Sequence, residues 1–171
     1  MNTRVMQENL AKLGFIYTGE VVDRFGNVLQ RGEDHNLLPV ESLSYLANLI
    51  LGVGNVQAPW YVGVFAGNYT PTSATKATDL PGSVVESVLY SQVSRPQWAG
   101  VHNGTGLITN AADRAEFTFT ADATLYGGFL VSDNNKGSGS GILLSIARFA
   151  TPYAVPSGST FKLGVAISLV S

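Results

Sequence analysis

The sequence predicts a mainly β protein: a jelly-roll-like antiparallel β-sandwich with a short α-helical and hairpin N-terminal arm. Three observations carry this expectation. First, residues 160–170 alternate, with Phe161, Leu163, Val165, Ile167 and Leu169 separated by small or polar residues as far as Ser168. That two-residue period is the mark of a strand with one buried face. Second, the apolar runs from Trp60 onward are separated by turn residues and not by helical patterns, which favours a sandwich over an α/β fold. Third, only 13% of the 171 residues are charged, about half the usual quarter. Short polar residues and 19 glycines fill the gap, which suits strands with hydroxylic outer faces and a surface partly covered by partners.

Residues 1–55 are expected to form the arm and residues 56–171 the sandwich. In the arm, residues 3–13 predict a short helix. Thr3 is its N-cap, Val5, Met6, Leu10 and Leu13 form its apolar side, and Gly14 is its stop. Alone such a helix is marginal and needs a docking partner. Residues 16–31 predict a hairpin that turns at Arg24-Phe25-Gly26-Asn27, with Gly26 or Asn27 free to adopt positive φ. Its arms are short and rather polar, more an extension than part of a core. Residues 39–51 give the best helix. Pro39 suits the first helical position, Leu43, Leu46, Ala47 and Ile50 form its apolar stripe, and Gly52 and Gly54 end it.

The expected strands are Trp60–Ala66, Ser87–Ser91, Ala115–Ala121, Thr124–Ser132, Ile142–Ala150 and Thr160–Val170. Phe117 and Phe119 face one way between outward threonines. Ile142–Ala147 is apolar on both sides, as in a central strand covered on two faces. The 67–83 stretch is long, polar and unpatterned, and such loops are usually functional or mobile.

Composition also excludes classes. Net charge is −2 with no run of Lys or Arg, so no electrostatic footprint for nucleic acid exists. There is no cysteine, hence no disulfide framework or thiolate metal site. The apolar stretch Leu43–Leu51 is too short for a membrane span. Met1-Asn2-Thr3-Arg4 leads into no apolar segment, so no secretory signal is expected. His35 and His102 read as exposed turn residues without a metal-site partner. Most of the acids lie beside turn residues, where carboxylates stay solvated. Gly137-Ser138-Gly139-Ser140-Gly141 lacks the Lys-Ser/Thr of a phosphate loop and the central Ser of a nucleophile elbow. No enzymatic constellation and no cofactor site are expected. Trp60, Tyr61, Tyr69, Tyr90, Trp98 and Tyr153 are core and rim aromatics, with Tyr69 in the long loop as the exception.

Several segments together resemble a family of small virion structural proteins of tailed double-stranded DNA phages. They are Asp34-His35-Asn36-Leu37-Leu38-Pro39, Trp60-Tyr61-Val62-Gly63-Val64-Phe65, Gly67-Asn68-Tyr69-Thr70-Pro71, Ala115-Glu116-Phe117-Thr118-Phe119, Leu125-Tyr126-Gly127-Gly128-Phe129-Leu130 and Val155-Pro156-Ser157-Gly158-Ser159-Thr160. The resemblance covers roughly residues 33–171 and departs at Ser159, where the family pattern has an acid. It implies a virion component, assembled in symmetric copies in the host cytoplasm. Compatible places are a capsid decoration (cement) protein, a collar or neck protein, and a fibre or spike module that holds glycan. The leading expectation is a homotrimeric decoration protein that binds the major capsid or other virion proteins non-covalently. Its expected partner contacts are Leu10 and Leu13 on the first helix, Phe25 at the hairpin turn and Tyr69 in the long loop.

Overall fold

The computed structural model describes residues 14–168. The first expected helix, with Leu10 and Leu13, lies outside the described residues, as does Leu169. The chain runs β1 (Gly14–Val22), β2 (Val28–His35), α1 (Val40–Ile50), β3 (Tyr61–Phe65), a 3-10 turn (Ala77–Asp79), β4 (Val101–His102), β5 (Leu107–Thr109), β6 (Ala115–Thr118), β7 (Ala123–Val131), β8 (Leu143–Val155) and β9 (Thr160–Ser168). The protein is mainly β and its paired strands are antiparallel. One sheet has the order β2-β1-β9-β5-β4, with β6 also on β9; the other is β3-β7-β8.

The alternating C-terminal run becomes β9, the centre of the larger sheet. It pairs with β1 from Gly14↔Ser168 to Val22↔Thr160 on one side. On the other side it pairs with β5 near its end and β6 near its start. Buried Asn110 bridges the gap between those two, accepting from the Val165 N–H at 2.7 Å and donating to the Leu163 carbonyl at 3.4 Å. Phe161, Leu163, Val165 and Ile167 point into a core shared with Phe15, Tyr17 and Val21 of β1 and with Val62, Leu130 and Leu144 of the second sheet. Tyr17 crosses that core, donating to Ser145 Oγ at 2.8 Å, while Asn36 donates to the same oxygen at 3.0 Å.

This corrects the expected boundary at 55/56. The hairpin is part of the body, because β1 contributes a full nine-residue ladder and buried Phe15, Tyr17 and Val21. Its outer strand, β2, is polar because it is an edge. There Gln30 and Asp34 side chains reach across to β8, to the Pro152 carbonyl and the Ala154 and Ala150 N–H groups.

Helix α1 forms over the expected range but turns differently. It buries Ser42 and Tyr45 and packs Leu46 and Leu49 on the core, leaving Leu43, Ala47 and Ile50 exposed. Tyr45 sets this rotation, stacking edge-on against Trp60 at 5.5 Å and accepting the Gln57 N–H.

Strand β8 is apolar on both faces as expected, yet it lies at the side of its sheet and β7 is central. The isolated bridge Leu37↔Ile146 covers its open side. Residues 87–91 form no strand; the segment is tied down by single bridges, Phe65↔Glu86 and Tyr90↔Phe119. The 67–83 loop is a packed structure: Ala77, Leu80 and Val84 build a second core with Phe65, Phe129, Val131, Leu143 and Ile146. Across β3 and β7, Gly63 faces Phe129 and Gly127 faces Phe65. A Cβ on either glycine would overlap the opposite ring, so each aromatic covers a glycine of the neighbouring strand.

Candidate interaction surface

The β1–β2 hairpin ends in a tight, hydrogen-bonded turn with exposed residues. Asp23 organises it: one carboxylate oxygen accepts the N–H groups of Phe25 and Asn27, both at 2.8 Å, and the other accepts Asn27 Nδ2 at 2.9 Å. These bonds, the Asn27 side chain first, hold the Asp23 carboxyl below its usual pKa. The backbone closes with Asp23 N–H to the Asn27 carbonyl and Gly26 N–H to the Asp23 carbonyl. Gly26 takes the positive φ of 89° that the turn requires.

On this frame Phe25 is 76% exposed, with the Arg24 guanidinium 4.9 Å from its ring centre. Val28 and Leu29, on opposite faces of β2, are also exposed. On the neighbouring ends of β7 and β8, an open depression of ≈ 310 Å³ is lined by Asp122, Ala123, Thr124, Ala154, Val155 and Pro156. Large exposed aromatics are strong anchors in protein contacts, because they bury much area at little entropic cost. The surface therefore offers apolar area, one cation and a preset backbone.

Of the two expected contact residues among the described residues, Phe25 is presented this way and Tyr69 is not. Tyr69 is half-buried against the second core, and its hydroxyl is hydrogen-bonded to Thr75 at 2.9 Å. Arg148 pins the same segment through the Tyr69 carbonyl and Asn68 Oδ1. The other aromatics do not gather on one surface. Tyr90 and Tyr153 are buried, while Trp60 and Trp98 pack on the main core, Trp98 donating to the Val165 carbonyl.

The reading of the acids as solvated is corrected at two places. Glu86 is buried with Arg95, whose side chain is fully enclosed: Nε and Nη2 donate to the two carboxylate oxygens at 2.9 and 2.6 Å. The same guanidinium donates to the Asp133 and Ser138 carbonyls and lies 5.4 Å from the Phe129 ring. Lys136 adds bonds to the Tyr90 and Gln92 carbonyls and sits over the Tyr90 ring. The pair thus locks the 84–95 loop to the Gly-Ser turn 137–141. Periodicity could not reveal it, because both residues lie outside strands and 9 positions apart. Glu20, also buried, meets Arg31 at 2.6 Å and Arg114 at 3.4 Å.

His35 and His102 are exposed; His102 belongs to β4 of a short hairpin and not to a loop tip. Among the described residues, no three His, Cys, Asp or Glu side chains group to hold a metal ion. Nor is any described helix long and apolar enough to cross a membrane. Burial raises the pKa of Tyr17 and Tyr90, the latter helped by the Glu86 charge. Tyr153 is pushed up to about 12, by burial first and then by Asp34. No family model and no curated protein matches the sequence.

Proposed function

We propose that the chain is a virion structural protein of a tailed double-stranded DNA phage. It acts as a capsid decoration protein, a homotrimer held to the major capsid protein by non-covalent contacts. Its body, on this reading, is a jelly-roll-type sandwich. The observation that carries the reading is the prearranged Phe25 tip. An aromatic held out on a turn whose Asp23, Phe25, Gly26 and Asn27 N–H groups are all hydrogen-bonded loses little entropy on docking. The segments resembling phage virion proteins and the low charge of the chain support the same reading.

Burying one such ring is worth about 1.5–3 kcal/mol. Repetition in a trimer makes modest contacts add through effective concentration. The test is immunogold labelling of phage particles, joined to sedimentation of the Phe25→Asp variant. Head labelling, with loss of trimer or of particle binding in the variant, is the expected result. Labelling at the neck or tail would move the protein to a collar or fibre role. A Phe25→Asp protein that assembles and binds as the wild type does would refute the role of the tip.

A further inference from the structure

Helix α1 has an apolar outer face as well as the side it packs on the core. Leu43, Ala47 and Ile50 lie at i, i+4 and i+7 on the exposed side. Val40 and Leu51 stand at its two ends, and Val53 and Val56 follow just beyond; all four are exposed. Ile50 is 86% exposed. The one charge on α1 is Glu41, and its carboxylate already accepts the Ala77 and Leu143 N–H groups. The end of the stripe is fixed in place. Gly52, at φ 67°, closes the helix, its N–H on the Leu49 carbonyl and the Val53 N–H on the Asn48 carbonyl. A neutral, preset apolar stripe thus faces outward from a helix whose Leu46 and Leu49 already cover the core. Contiguous exposed apolar surface of this kind marks an interaction site.

We propose that this face docks on the same face of a second copy, with the two α1 helices antiparallel about a two-fold axis at Ala47. A two-fold contact sets one patch against itself, so both sides consist of these same residues. Three observations identify a second copy as the occupant. First, the order of side-chain sizes is its own complement. Antiparallel about Ala47, Leu43 of each copy lies against Ile50 of the other, on both sides of a small pair that lets the helix axes approach to about 8 Å. Val40 then meets the end of the other helix, where Leu51 and Val53 stand. Second, charge does not oppose the pairing. Lys76 lines a depression with Val40 and Ser44 at the N-terminal end of α1. The antiparallel arrangement puts the two lysines at opposite ends of a helix about 16 Å long, beyond the screening length of about 8 Å at physiological salt. Third, the area is sufficient. Six exposed Val, Leu and Ile residues offer roughly 100 Å² each. Two copies then bury roughly 1,200 Å², which is what a specific stable interface needs. The contact does not depend on the virion reading: it joins single chains or whole trimers alike.

The chain has no cysteine, so a single introduced thiol reports the axis without ambiguity. Ala47→Cys sets two thiols face to face across it, within the Cβ separation of about 3.5–4.5 Å that a disulfide needs. Mild oxidation of the full-length variant should convert most of it to a covalent dimer. Val93→Cys, at a position 93% exposed in a different segment, should stay largely unlinked under the same conditions. No dimer from Ala47→Cys, or equal linking in both variants, would overturn the proposal. Sedimentation of cysteine-free chains gives the second reading. At about 100 μM, well above the micromolar end of the range for interfaces of this class, Ile50→Asp should halve the mass of the parent. The step is dimer to monomer, or hexamer to trimer where the trimer also forms, so the outcome is separate from that of the trimer itself. Val93→Asp should leave the mass unchanged, and circular dichroism should show both variants folded. A folded Ile50→Asp protein with the parent's mass would overturn the two-fold contact.

Discussion

Arg95→Met is the most informative perturbation of the body. Methionine keeps most of the unbranched stem and its packing against Phe129, but removes the guanidinium. Gone with it are two bonds to Glu86 and those to the Asp133 and Ser138 carbonyls at 2.8 and 2.6 Å. Glu86 then keeps only the Gly137 N–H at 2.9 Å and is left as a buried charge without a counter-ion. Breaking a buried pair from one side costs about 3–5 kcal/mol. In a protein of this size, each kcal/mol lowers Tm by about 2–4 °C, so calorimetry should show a fall of about 6–20 °C. Urea unfolding should show the same loss with an unchanged m-value. Adding Glu86→Leu removes the stranded charge, so the double variant should be more stable than Arg95→Met alone. The two orphaned carbonyls, at about 1 kcal/mol each, keep it below the parent. An Arg95→Met protein within about 1 kcal/mol of the parent would refute the clamp. A double variant equal to the sum of the single losses would refute the coupling.

Other perturbations test the packing, the backbone and the titrating groups. A Cβ at Gly32 would stand 2.5 Å from the Tyr153 hydroxyl; Gly32→Ala should cost about 1–3 kcal/mol, and Tyr153→Phe in the same chain should restore part of it in urea titrations. Val85, a β-branched residue at φ 59°, stores about 1–3 kcal/mol of strain. Against a glycine entropy cost of about 0.5–1 kcal/mol, Val85→Gly should gain about 1 kcal/mol, read as a rise in Tm. Tyr17, Tyr90 and Tyr153 titrate above their unfolded value near 10, so the fold favours their neutral forms. Their stabilisation is complete below about pH 10 and is lost as pH rises toward 12, at about 1.4 kcal/mol per unit for each tyrosine. Urea midpoints should therefore fall steeply over that window, less steeply in Tyr17→Phe; a flat profile would contradict the burial of these hydroxyls.

Strands with one buried face were legible because their period is local. Phe161 to Ile167 and Phe117 to Phe119 announce which side is inside, and both lie inside. The hairpin turn was legible from Gly26 and Asn27. The helix was legible in extent but not in rotation: its sequence offers two apolar stripes, and Tyr45 stacking on Trp60 selects between them. Of the expected contact residues, Phe25 was visible in sequence as a turn residue. Its exposure follows from the Asp23 bonds that face the ring outward.

The mainly β character and the turn positions can be read along the chain, because alternation and turn chemistry act between near neighbours. Sheet membership and residue pairing emerge only in the folded molecule. A polar edge strand can mask its core-forming partner, so β2 made β1 look like an appendage. Glu86 looked solvated because its burial with Arg95 needs the 84–95 loop to meet the distant 133–138 segment. Both depend on contacts between segments far apart in the chain, and periodicity along one segment carries no information about those.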